Sequence, residues 1–395
     1  MSDDTLASAA PVRPDDAPGG LPAGGGRGGT WGLGWSGIRT VAVLELRQRI
    51  RSTRWVAVLG VWTAILAVLT VLIRWAIRRT FAGSTQTTDG AVDAAAALPA
   101  ADVAAGRVTF GIIVFLVLSL AGLVAPALSA TSINGDRQAG VLATLQTTLL
   151  TPAQIVVGKL LAAWVTALAL LAAGLPFLVW VYLDGGTPLG RLLVTLGVLA
   201  LTLLVVCAVG LGWSGITSRT SSSAVLTYLT VALLGPGLPL LFLLSVPLVT
   251  ESERVQVRTQ TDFSVSITDP SQCTVLTDVR SLTHTERSWW LLAASPYVVV
   301  ADASPKPTTR PGTDDPLAII RDGVRDARLG PAVPVEECFY DDAQDRERQR
   351  QRDALGVTWP SGLAALLALG TAFTAIAVRR LRTPTRTLPA GTRVA

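Results

Sequence analysis

The chain has 395 residues, half of them hydrophobic and 15% charged, with a mean hydropathy of +0.49. A soluble chain carries charge on about a quarter of its residues, so a soluble globular class is excluded; the apolar residues cluster in runs of the ~20 needed to cross a bilayer. The net charge of +5 is uneven: residues 251–356 hold 13 Lys+Arg and 18 Asp+Glu, the remainder 20 and 10. That basic excess flanks the apolar runs, which points to membrane lipids as a partner and not to nucleic acid, for which no groove-reading or stacking module is visible.

Residues 1–37 open with a Gly-, Pro-, Ala- and Asp-rich stretch that has no signal-peptide core. They read as a disordered tail on the cytoplasmic side, because such a composition buries too little surface to offset chain entropy. Residues 38–55 follow as an amphipathic segment. Val41, Leu44 and Ile50 are apolar, and Arg47, Arg49, Arg51 and Arg54, ahead of Trp55, supply cations to anionic headgroups. A helix of this kind lies in the membrane interface.

Six spans are expected, at 55–73, 108–130, 160–182, 192–216, 224–249 and 359–378, and none contains Asp, Glu, Lys, Arg or His. Backbone polar groups in hydrocarbon must be satisfied within the segment, so each span is a helix. Pro126, Pro176, Pro236 and Pro239 mark either kinks along a path or local packing. With both termini inside, cytoplasmic segments carry 15 Lys+Arg and the short outer loops five: Arg74, Arg78, Arg79, Arg107 and Arg191. The positive-inside rule favours this orientation, with Arg74, Arg78 and Arg79 snorkelling to the outer headgroups.

The loop at 132–159 starts polar at Asn134, Gly135, Asp136 and Arg137, then reads as a short helix from about Gln138 to Leu149, ended by Thr151-Pro152. Projecting between two spans, it is a mechanical handle. Residues 251–356 form a mixed α/β extracytoplasmic domain. Residues 254–267 alternate (Val255, Val257, Phe263, Val265, Ile267) and read as a hairpin, with another strand at 273–280. Residues 288–301 are either an interfacial helix broken at Pro296 or the domain's own core. Residues 316–329 and 341–353 read as helices, the second solvated and leading into the last span at 357–382. A cytoplasmic tail, 383–395, closes the chain. Cys273 and Cys338 lie together in the outer segment, where a disulfide persists; Cys207, mid-span, reads as inert packing.

Two of these segments, LELRQRIRSTRW (44–55) and GDRQAGVLATLQTTLLTPAQIVVGKLLA (135–162), resemble the permease subunits of ABC-2-type ATP-binding-cassette transporters. Asp136-Arg137, Gly140, Leu142, Leu145, Thr151-Pro152 and Gly158-Lys159-Leu160 fit the family's pattern. Gln138 and Ala143 depart from it, since Glu is common at both places. Ser295-Pro296-Tyr297 stands where the family has an Asn-Pro-Phe stretch. The resemblance implies an α-helical integral membrane protein with an entry ("elbow") helix at 38–55. It also implies a coupling helix carrying Asp136, Arg137, Gln138, Gly140, Leu142, Leu145, Thr151 and Pro152. Two permeases would pair above two ABC ATPase subunits that hold ATP and Mg, with no cofactor on this chain and export as the direction.

No ATPase motif is present. The only Gly-Lys, Gly158-Lys159, lacks the first glycine of a phosphate loop and opens a span. His284 is the sole histidine and zinc-ligand spacing is absent, so it reads as an exposed residue and an outer-domain enzyme is disfavoured. An ion-coupled carrier places ionisable groups within its spans, and a receptor or anchoring protein needs an output domain; neither is seen. The spans offer Ser119, Thr166, Trp180, Trp213 and Thr227, which suit an amphipathic cargo, a polysaccharide or a drug.

Overall fold

The computed structural model describes residues 30–84, 94–140, 150–183, 188–260, 273–305, 315–337 and 342–381. Helix α1 (Trp35–Ile50) precedes α2 (Thr53–Ser84), α3 (Ala94–Ser129) and the short α4 (Ser132–Gln138). Next come α5 (Pro152–Leu183) and α6 (Leu189–Ile216), then a broken span: α7 (Thr220–Ala232), a π-helical turn (Leu233–Gly237) and α8 (Leu238–Ser245). Strands β1 (Thr250–Gln260) and β2 (Cys273–Thr283) follow, with α9 (Trp289–Ala293), α10 (Pro296–Ala303), α11 (Pro316–Leu329), β3 (Val335–Glu336), α12 (Asp342–Ala354) and α13 (Trp359–Arg380).

Among the described residues, six helices are long and apolar enough to cross a membrane, at Trp55–Ala76, Gly106–Gln138, Pro152–Leu183, Leu189–Ile216, Thr220–Val249 and Arg346–Arg380. They contain the six expected apolar runs and extend past them. The extensions draw Lys159 and Arg191 into the helix ends, where both side chains are buried. Charge therefore enters the bundle at its two ends and not across its middle.

Helix α6 is the most buried span and α7–α8 the least. Between helices in lipid there is no hydrophobic driving force, so close approach through small residues takes its place. The contact of α6 with α13 is built this way. A Cβ on Gly212 would lie 2.7 Å from Phe373 Cβ, and one on Gly215 3.1 Å from Ala377 Cα. Indole N–H groups bind carbonyl or hydroxyl oxygens across the bundle: Trp62 Nε1 to Leu170 O at 3.0 Å, Trp164 Nε1 to Ala200 O at 2.8 Å and Trp213 Nε1 to Thr230 Oγ1 at 3.0 Å. Ser119, Thr166 and Thr227 also have partners: Tyr297 Oη, the Ala162 carbonyl and the Ser223 carbonyl. Unpaired polar groups at this depth cost several kcal/mol, roughly.

Pro239 explains part of the break between α7 and α8. It has no N–H for the Gly235 carbonyl four residues earlier. Ser295 Oγ, from the turn before α10, donates to that carbonyl at 3.2 Å. Tyr297 packs close by, 3.0 Å from where a Gly235 Cβ would stand. The Ser-Pro-Tyr stretch thus docks on the π-helical turn. Helix α10 is buried almost throughout, with Val299, Val300, Ala301 and Ala303 in the core of the spans and not in that of the sheet, while Trp290 of α9 remains exposed.

The sheet has order β2-β1-β3, with β1 antiparallel to β2 over its whole length and parallel to β3 at Val257–Val335. Its small core is Val255, Val257, Leu282 and Val335. The hairpin is therefore formed by β1 and β2, not within 254–267: β1 is one strand to Gln260, and Phe263, Val265 and Ile267 lie outside the described residues. Cys273 is disulfide-bonded, Cys207 is a buried free thiol, and Cys338 lies outside the described residues.

Two buried carboxylates join this end to the spans. Asp302 Oδ2 accepts from Thr358 N (2.7 Å), Thr358 Oγ1 (2.8 Å) and Trp359 N (2.7 Å), capping α13, while Oδ1 accepts from Arg325 Nε at 2.8 Å. Asp315 caps α11 through Leu317 N at 3.1 Å and pairs with Arg191 of α6. Arg191 also donates to Ser304 Oγ at 2.7 Å and lies 5.3 Å from the centre of the Phe110 ring. Of the arginines expected to snorkel, Arg74 instead stays in the bundle, 4.9 Å from the Trp180 ring. Cation–π attraction offsets part of its desolvation.

Replacement of Ser295 by Ala removes one donor from one buried carbonyl and is expected to cost about 1–3 kcal/mol. Asp302→Ala leaves the buried Arg325 guanidinium with only Asp353, 3.9 Å away, strands two helix N–H groups, and is expected to cost about 3–5 kcal/mol. Unfolding of the two variants in detergent checks the order: Asp302→Ala must be the less stable.

Candidate coupling site at the α1 end of the bundle

Helix α1 lies on the first turns of α5. The contact requires Gly158, where a Cβ would fall 2.7 Å from Val41 Cβ and 3.0 Å from the Ile38 carbonyl oxygen. Ile38 and Val41 are buried in it, whereas Leu44 and Ile50 are exposed. The four arginines divide. Arg47 and Arg51 are exposed. Arg49 turns inward and donates to Thr166 Oγ1 at 3.1 Å and to the Leu128 carbonyl at 3.4 Å. Burial pulls its pKa below the ordinary arginine value, opposed by the charge of Glu45. The side chain of Arg54 lies outside the described residues, and Trp55 packs half-buried against the core.

Lys159, next to Gly158, is 1% exposed. Its ammonium pairs with Glu45 of α1 and with Asp136 Oδ2 of α4 at 2.6 Å, and donates to the Ser132 carbonyl at 3.4 Å. An ammonium has three donors, and three acceptors from two other helices meet it. The Gly-Lys pair that fails as a phosphate loop is thus structural. Its glycine admits α1, and its lysine ties α1 and α4 to α5.

Helix α4 is also held from α6 and α7. Its first N–H groups, of Ile133 and Asn134, both donate to Ser214 Oγ, at 3.0 and 3.1 Å. Asn134 Nδ2 donates to Thr217 Oγ1 at 3.1 Å, and Ser223 Oγ to the Ala130 carbonyl at 2.7 Å. Of the helix expected from about Gln138 to Leu149, residues 141–149 lie outside the described residues, and Gln138 itself is the last residue of α4. Gly140 then takes φ +69°, the left-handed position that commonly ends helices. Leu142 and Leu145 lie outside the described residues.

The chain re-enters the bundle through a capping box at Thr151-Pro152-Ala153-Gln154. Thr151 Oγ1 accepts from Gln154 N at 3.2 Å, and Gln154 Oε1 accepts from Thr151 N at 2.9 Å. Pro152 occupies the first helical position, where no N–H is needed. Thr151 Oγ1 also donates to the Gly32 carbonyl at 2.6 Å, fastening the segment ahead of α1.

Of the residues singled out in the loop, Asp136, Thr151 and Pro152 join this network. Arg137 is half-exposed, and Gln138 and Gly140 are exposed. Glu45, Lys159, Ser214 and Gln154 were missed as functional positions. The Thr-x-x-Gln spacing was a signal for the last; nothing local marks Ser214. Among the described residues here, no side chain is arranged as a nucleophile or proton-transfer base. Helix α4 is bonded to α1 and α5 through Lys159 and to α6 through Ser214, and Gln138–Gly140 at its end are exposed.

Lys159→Met should leave Asp136 without its cation and Glu45 with only Arg49, 3.9 Å away, and cost about 3–5 kcal/mol. In combination with Glu45→Gln the losses should be non-additive by about 1 kcal/mol or more. A double-mutant cycle of unfolding free energies in detergent measures this, and additive losses would contradict the pairing.

A family model described as ABC-2 family transporter protein matches residues 39–300, about two thirds of the chain, from within α1 into α10. No curated protein matches the chain. The six apolar helices and the match over α1, the loop and the first five spans lead to one conclusion: the chain belongs to the ABC-2 transporter family and is a multi-pass membrane permease.

Proposed function

We propose that this permease is the membrane-spanning subunit of an ATP-driven exporter, worked by separate ABC ATPase subunits that dock at the tip between α4 and α5. The observation that carries the reading is the Lys159 ammonium, through which α4 is bonded to α1 and α5. A push on Gln138–Gly140 reaches four helices through bonded groups and is not absorbed by a loose loop. Asp136, Arg137, Gln138, Gly140, Leu142, Leu145, Thr151 and Pro152 make up the coupling segment. Helix α1 is the elbow at the inner membrane surface, with the exposed Arg47 and Arg51 toward lipid headgroups.

The orientation follows the distribution of Lys and Arg: the α1 end and both termini cytoplasmic, residues 251–356 extracytoplasmic. An oxidising compartment there suits the disulfide at Cys273, whose partner we assign as Cys338. A second permease subunit completes the path, and ATP and Mg are held on the ATPases. With no Asp, Glu, Lys, Arg or His across the middle of the spans, the driving force enters from the partner.

Gly140→Pro demands φ near −65° where the chain has +69°, and Leu145→Asp places a charge in the apolar part of the segment. In a complex purified from native membranes and reconstituted, each should lower permease-stimulated ATP hydrolysis about tenfold or more while insertion stays normal. Wild-type stimulation in both variants, or purification without any ATPase subunit, would overturn the reading.

A further inference from the structure

The base of the β1–β2 hairpin gathers a set of groups that coupling does not use. The strand register pairs Thr250 with Thr283 and Glu251 with Leu282. Glu251 and Glu253 therefore share a face with His284, which follows β2 and whose N–H donates to the Val249 carbonyl at 2.8 Å. The donor atoms of Glu251, Glu253 and His284 all lie within 4.8 Å of one another.

The imidazole is already oriented. Its Nδ1 is 2.7 Å from Glu286 Oε1, the carboxylate–histidine arrangement that fixes the tautomer of a metal-bound histidine and leaves Nε2 as the free ligand. Nε2 is buried and makes no hydrogen bond, although Glu253 Oε1 stands 3.2 Å away. That separation is close to the ~3.3 Å between two ligands of a tetrahedral ion with bonds of about 2.0–2.1 Å. Arg287 pairs with Glu251, holding that carboxylate through one oxygen. With the imidazole neutral, three carboxylates and one guanidinium leave two negative charges, which a divalent cation balances.

We infer that Glu251, Glu253 and His284 form a binding site for a zinc-like divalent transition cation, with Glu286 and Arg287 as positioning residues. One nitrogen and two carboxylate oxygens with open positions suit such an ion. Bound there, it would cross-link the start of β1 to the end of β2 where the hairpin leaves α8. A proton is the competitor for Nε2: the hydrogen bond to Glu286, and the charges of Glu286 and Glu253, raise the His284 pKa above its ordinary value. This departs from the sequence expectation of an exposed histidine with no metal, and it stands independently of the ATPase coupling.

The test uses the full chain in detergent, cleared of any affinity-tag histidines and treated with chelator, then titrated at pH 7.5 with Zn(II) by calorimetry and with Co(II) by visible absorption. One equivalent should bind and raise the unfolding temperature. His284→Ala and Glu253→Gln should each weaken binding at least tenfold and abolish the rise, while Glu286→Gln should weaken binding about tenfold or more. Unfolding curves of the metal-free variants report whether each still folds. Equal binding by wild type and a folded His284→Ala, or no binding by wild type, would overturn the site and leave an imidazolium salt-bridge cluster.

Discussion

A single ammonium group sets the geometry of the α1 end. Lys159 is withdrawn from water, and a charge in that position is tolerated only when its donors are matched. Glu45, Asp136 and the Ser132 carbonyl match them. The three helices therefore cannot shift independently: moving any one leaves an unpaired charge in a poorly solvated place. Gly158 makes the arrangement possible by letting the α1 backbone come close enough for Glu45 to reach. Ser214 then extends the same constraint to α6 by capping α4.

The hairpin end follows the same physics with the signs exchanged. There carboxylates are the buried centres, Asp302 at the start of α13 and Asp315 at the start of α11, each capping a helix and each facing an arginine. Helix N-termini favour negative charge, so one group serves both helix and ion pair. Between the two ends, the middle of the spans holds no charge. Some hydroxyls there return to carbonyls of their own helix, as Thr166 does to Ala162 and Thr202 to Val198, and indole N–H groups bridge neighbours. Placing ions only at the ends keeps them near water and headgroups, where desolvation costs least.

The spans are unequally held. Helices α5, α6 and α13 are closely packed: α5 and α13 are tied at their starts, through Lys159 and Asp302, and α6 at both ends, through Arg191 and Ser214. The α7–α8 span shows most of its surface, with Leu229, Leu240, Leu243 and Leu244 exposed, and its π-helical turn rests on the Ser295–Gly235 bond. π-turns in helices concentrate at functional sites. A permease that changes access needs such a contrast: a core that stays together, and a span whose backbone bonding is already irregular.

Much of this was legible in the sequence. Runs of apolar residues near 20 long leave only a bilayer as solvent, so the six spans and the class followed from composition and length. The motif around Asp136 and Gly158-Lys159 identified the family, because those residues are local and their order is preserved. Helix α4, over Ser132–Gln138, is not legible locally, because a left-handed glycine follows it and its cap is supplied by Ser214, 80 residues on. The hairpin was misplaced because alternation fits either of two pairings, and only cross-strand register decides between them. Lys159 read as a flank beside an apolar run; that it is a buried ion, and that Glu45 and Asp136 are its partners, depends on which helices touch. Periodicity records burial and turns along the chain. Which charges meet is decided between segments far apart in it, and only the packed structure contains that information.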